Sequence, residues 1–132
     1  MSEPRALLAA ARVGRLATVR PDGRPHVVVC CFAVEGDLLW TAVDAKRKQH
    51  TRLQRLANLR ANPHASLLVD HYEEDWGRLW WVRVDGRAAV LDEGDERGLA
   101  ALTAKYPQYA ASPPAGPVIT LTIERVSAWS AA

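Results

Sequence analysis

The sequence predicts a mainly β protein, a six-stranded antiparallel barrel with helices, folded as a single domain over residues 1–132. Three observations predict it. Short segments with period-two alternation recur along the chain, tight-turn residues separate the first three, and one segment of helical period follows the third. A chain of 132 residues suits one domain with one modest core. Charge and hydrophobic content are those of an ordinary folded protein, which argues against disorder.

Taken in order, Pro4 to Val13 reads as a short helix with Leu7, Leu8 and Ala11 on one side, broken by Gly14. Arg15 to Arg20 alternates polar and apolar residues as a strand does, and Pro21-Asp22-Gly23 is a turn. Pro25 to Val34 is the second strand, apolar enough to be buried on both faces. Glu35-Gly36-Asp37 turns the chain into the third strand, Leu38 to Val43. From Gln49 to Ala61 the period becomes helical, with Leu53, Leu56 and Ala57 at i, i+3, i+4. Asn62-Pro63 ends that helix, because proline disfavours the helical conformation in the residue before it. Ala65 to His71 is the fourth strand and Glu73-Glu74-Asp75 an acidic loop. Arg78 to Leu91 is long enough for a bent fifth strand, with a bulge or kink at Asp85-Gly86. Asp92 to Lys105 is helical, its acids gathered in the first turn as the helix dipole favours. Tyr106 to Gly116 is a loop, and Pro117 to Ile123 the last strand.

The chemistry concentrates after the third strand. Lys46, Arg47, Lys48, Arg52, Arg55 and Arg60 occur with no acid between Asp44 and Asp70, on a chain whose net charge is only +2. One local cation cluster on a chain otherwise net negative points to a defined anionic ligand. Its place at a strand-to-helix junction fits a phosphate, since a helix N-terminus presents unpaired N–H groups and partial positive charge. The alternative is a solvated helix face. Nucleic acid is a weaker reading, because the helix carries no interleaved aromatics and the rest of the chain would repel a polyanion.

Other motifs are sparse. Cys30 and Cys31 are adjacent, so on a strand they point to opposite faces and are read as reduced core residues. His26, His50, His64 and His71 lack metal-ligand spacing, so no metal site is expected. No apolar run is long enough to span a membrane and no secretory signal is evident at Met1-Ser2-Glu3-Pro4-Arg5, so a cytoplasmic protein is expected. Trp80 and Trp81 must face opposite sides of their strand, one toward the barrel and one toward a partner or a ligand groove.

Several motifs together resemble a known family. Leu16-Ala17-Thr18-Val19 with Asp22-Gly23-Arg24-Pro25-His26, the basic segment running into Leu59 to Leu67 around Asn62-Pro63, and Val82 to Ala88 fall in the order found in the pyridoxamine 5'-phosphate-oxidase-like split β-barrel proteins. The Lys46-Arg47-Lys48 segment, the Trp80-Trp81 strand and Tyr106-Pro107-Gln108-Tyr109 are similar to the actinobacterial branch of deazaflavin-dependent oxidoreductases, which use coenzyme F420. The resemblance implies a six-stranded split barrel of the FMN-binding type, a homodimer, and two cofactor sites in grooves between subunits.

Carried over residue by residue, the resemblance assigns the cofactor phosphate to Lys46, Lys48 and Arg52, with Arg55 a candidate. The segment between Lys48 and Asn62-Pro63 is about two turns longer than in many relatives, which leaves Lys48 and Arg55 both open for the main phosphate position. His26, Val27, Val28 and Val29 would form one wall of the ring site, and Thr41, Ala42 and Val43 the other. The implied activity is hydride transfer between F420 and a small conjugated or unsaturated molecule, with no catalytic side chain assigned. The alternatives are an FMN-dependent oxidoreductase or a non-catalytic cofactor- or haem-binding protein. No nucleic-acid or membrane partner is expected.

Overall fold

The computed structural model describes residues 3–43 and 53–132. Helix α1 is Pro4–Ala10, and β1 (Gly14–Val19), β2 (Pro25–Cys30), β3 (Ala33–Glu35) and β4 (Leu38–Ala42) follow. Then come α2 (Gln54–Ala61), β5 (His64–His71), a 3-10 turn at Trp76–Arg78, β6 (Trp80–Leu91), α3 (Glu96–Lys105), α4 (Pro107–Ala111) and β7 (Val118–Ser130). The part of the expected helix from Gln49 to Arg52 lies outside the described residues.

The strands form one antiparallel sheet of seven, in the order β2-β1-β5-β6-β7-β4-β3, rather than the six expected. The extra strand arises because the expected second strand divides at Cys31 and Phe32. Its first part pairs with β1 and its second with β4, on opposite edges of the sheet. This division makes the sheet curl. Laid flat, seven strands would hold their edges about 29 Å apart, yet two residues join those edges here and span at most about 11 Å.

The interior is solid. Leu16, Leu67, Val69, Val82, Val84 and Leu121 are each no more than 1% exposed, so the curl encloses packed side chains rather than a chamber. A second apolar cluster, with Trp40, Leu102, Tyr106 and Val118, lies apart from the main core and carries α3 and α4. The bulge expected at Asp85-Gly86 is present as a register shift against β7. A side chain on Gly86 would meet the Thr122 carbonyl oxygen at 2.0 Å, so the bend needs the missing Cβ.

Other boundaries move for local reasons. Strand β7 runs on to Ser130 instead of stopping at Ile123, because the long β6 offers a ladder partner as far as Trp80. Helix α3 begins at Glu96, where the Asp95 side chain caps the Gly98 N–H. Pro107 starts a five-residue helix inside the expected loop. No described helix is long and apolar enough to cross a membrane.

Candidate functional site

The first site lies where α2 packs on β1 and β6, next to β2. The burial pattern of β2 puts His26, Val28 and Cys30 on its inner face and Val27 and Val29 on its outer face. Leu56 and Leu59 of α2 enter the core, and Asn58 between them is fully buried. The Asn58 amide donates to Thr18 Oγ1 at 2.9 Å and accepts from Gln54 Nε2 at 2.7 Å. One residue into α2, Arg55 has no ion-pair partner among the described residues, and its charge acts on both His26 and Cys30.

Two buried polar atoms also lack partners. His26 Nδ1 and Thr41 Oγ1 find no hydrogen bond among the described residues, apart from the weak Cys30 thiol beside Thr41. Burial, with the charges of Arg20 and Arg55, holds the His26 imidazole below its ordinary value, so it is neutral at physiological pH. Burial pushes the Cys30 thiol up, which makes it a poor nucleophile. A neutral ring nitrogen without a partner and a guanidinium without an ion pair among the described residues suit a ligand that brings hydrogen-bonding groups and negative charge.

Of the residues picked from sequence, Lys46, Lys48 and Arg52 lie outside the described residues, as do Arg47 and His50. Arg55 acts on His26 near one end of β2 and on Cys30 at the other, and Thr41 lies beside Cys30. Val28 packs on the core, while Val27 and Val29 are 61% and 64% exposed on the opposite face, so one ring cannot touch all three side chains. Ala42 packs toward the second cluster and Val43 is buried in the main core. Arg60 is tied to Asp92 in an ion pair, which removes one cation from the basic run.

A second feature lies on the outer face of the sheet. A groove of about 410 Å³ is lined by Leu68, Tyr72, Leu79, Trp81 and Trp129, with Arg83 at its side. Trp80 packs on the core and Trp81 faces out, which settles the division left open by sequence. Trp129 and Trp81 are direct cross-strand partners. Sequence reasoning missed Trp129 because the last strand was ended too early; period-two spacing continued past Ile123 would have found it. Asp70 on the same face is held by Arg15 at 3.0 Å, and His71 is bound to Glu73.

Residues 2–130 match the pyridoxamine 5'-phosphate oxidase family. Among solved structures, a conserved hypothetical protein of Mycobacterium tuberculosis is similar in fold, with TM-score 0.76 at 23% identity, covering 99% of this chain and 86% of that one. An F420 reductase is similar at 25% identity and TM-score 0.72, over 96% of this chain and 98% of that one. A FAD-binding protein of Mesorhizobium loti is 28% identical with TM-score 0.67, over 97% and 94%. No curated protein matches by sequence.

Proposed function

This chain belongs to the pyridoxamine 5'-phosphate oxidase family, and on that premise we propose that it is an oxidoreductase using coenzyme F420 on a small conjugated or unsaturated substrate. The observation that carries the reading is Arg55, without an ion pair among the described residues, near the orphaned buried His26 Nδ1, next along the chain to Lys46, Lys48 and Arg52. Similarity to an F420 reductase supports it. When bound, the deazaflavin supplies a hydride at its C5 position.

The chain supplies position and charge. Lys46, Lys48, Arg52 and Arg55 hold the phosphate and the anionic tail, whose several charges match a run of cations longer than one phosphate needs. Neutral His26 and the Thr41 hydroxyl meet polar edges of the ligand without adding charge. The exposed Leu68, Tyr72 and Trp129 around the groove on the outer sheet face form an apolar surface that a second copy of the chain covers, giving a homodimer. In that dimer the Trp81–Trp129 groove lies at the interface, where its aromatic wall excludes water from a planar ligand.

The test is a parallel titration with F420 and FMN at low and moderate salt. F420 should bind more tightly, and its advantage should shrink as salt rises. Tighter binding of FMN, or an F420 affinity indifferent to salt and to removal of the glutamate tail, would reject the reading.

A further inference from the structure

Helix α2 has only eight residues, and no side chain among the described residues caps its N-terminus at Leu53. A helix that short, about 12 Å long, does not hold itself in place. Its apolar contacts, Leu56 and Leu59, set which side faces the core. Apolar contact is non-directional, however, and leaves the helix free to turn or slide by a fraction of a residue. What fixes it is the one fully buried polar side chain on that face. Asn58 is 0% exposed and Thr18 is 3% exposed, and their bond links α2 to β1, the strand next to the sheet edge. Leaving either group unpaired inside the core is costly, so the bond admits one setting of the helix. Thr18 is the cross-strand partner of His26, so in that setting Arg55, three residues before Asn58, lies close enough to His26 for its charge to act there.

We propose that Asn58 is a positioning residue: its buried bond to Thr18 sets the rotation of α2, holds Arg55 beside β2 near His26, the cross-strand partner of Thr18, and so tunes affinity for the anionic part of the ligand without touching it. The setting of α2 follows from the Asn58–Thr18 bond alone, whereas the effect on affinity rests on the cofactor reading above. Gln54 extends the device, since its amide donates to Asn58 Oδ1 and fixes which way the Asn58 amide faces.

The experiment uses Thr18→Val, which removes the hydroxyl at constant shape, Thr18→Ser, which keeps it, and Asn58→Leu. Two quantities are read on the full chain: F420 affinity by titration, and the His26 ring titration by NMR, assigned with His26→Gln. Thr18→Val and Asn58→Leu should weaken F420 binding about five- to tenfold, the size carried by one neutral hydrogen bond. They should also raise the His26 midpoint, because a displaced guanidinium no longer opposes its protonation. Thr18→Ser should restore both. A Thr18→Val protein that loses only melting temperature, with His26 and F420 binding unchanged, overturns the proposal and leaves the cofactor reading standing. A wild-type protein that ignores F420, while Thr18→Val still moves His26, overturns the cofactor reading and leaves the positioning role.

Discussion

The Tyr106 hydroxyl closes on both backbone polar atoms of Phe32: it accepts the Phe32 N–H at 3.0 Å and lies 2.9 Å from the Phe32 carbonyl. It also lies 2.9 Å from the Arg12 carbonyl, so its single proton is shared between two acceptors. Phe32 belongs to the two-residue link by which the chain crosses from one sheet edge to the other. One phenol thus satisfies backbone groups that have no ladder partner, at the corner where the sheet closes on itself.

Replacing Tyr106 by Phe leaves the buried Phe32 N–H unpaired. The expected loss is about 1–3 kcal/mol in denaturant unfolding. A change within about 0.5 kcal/mol, the range of neutral surface substitutions, would show that the corner does not depend on this hydroxyl.

Lys105 gives a pH signature. Its Nζ lies 4.0 Å from the Phe32 ring centroid with no acceptor among the described residues. Burial first, then the Arg12 charge, lowers its pKa from 10.5 to about 8. Between those values the unfolded chain holds the proton and the folded chain has lost it, so this residue makes stability rise with pH from about 8 to about 10.5. Lys105→Met should abolish that rise and gain about 1–2 kcal/mol near neutrality, after discounting for solvent screening. Parallel melting curves of the two proteins across this range isolate the effect.

Gly86→Ala and Gly23→Ala should fail to different degrees. A Cβ at Gly86 meets backbone oxygen at 2.0 Å, whereas Gly23 has open space and only a positive φ of 89°. We expect at least about 2 kcal/mol lost at Gly86 and about 1 kcal/mol at Gly23. Equal losses in thermal unfolding would contradict the role given to the bulge.

Arg55→Gln should weaken F420 binding by about 1–3 kcal/mol, as loss of a charge-assisted contact does. Stability of the ligand-free protein should change little, because Arg55 has no ion pair among the described residues to lose. Calorimetry with and without cofactor separates the two, and unchanged affinity would place the phosphate elsewhere.

Trp129→Glu should convert the proposed dimer to monomer at micromolar concentration, since a charge would enter the outer sheet face beside Trp81. Light scattering that shows wild type as a monomer would remove the interface.

Local pattern carried most of the architecture. Alternation along Arg15 to Val19, the Asn62-Pro63 stop and the Asp85-Gly86 bend all depend on near neighbours, and the folded chain has each of them. The division of the second strand depended on Tyr106, 74 residues away, and no local period announces such a contact. The last strand was cut short for a similar reason, since Glu124 and Arg125 read as a polar end until β6 supplies their ladder. In the site, charge pointed to Arg55. It could not show that Arg60 is spent on Asp92, nor that an asparagine among leucines would prove the most buried polar group of its helix.

The filled interior has an evolutionary consequence. Residues that decide whether this chain folds, such as Leu67 and Val84, lie inside the curl, while exposed side chains such as Val27, Val29 and Trp129 lie on its outer face. Substitutions that redirect ligand preference can therefore accumulate without passing through poorly folded ancestors. A scaffold divided in this way can diversify its chemistry quickly while its shape stays recognisable at low sequence identity.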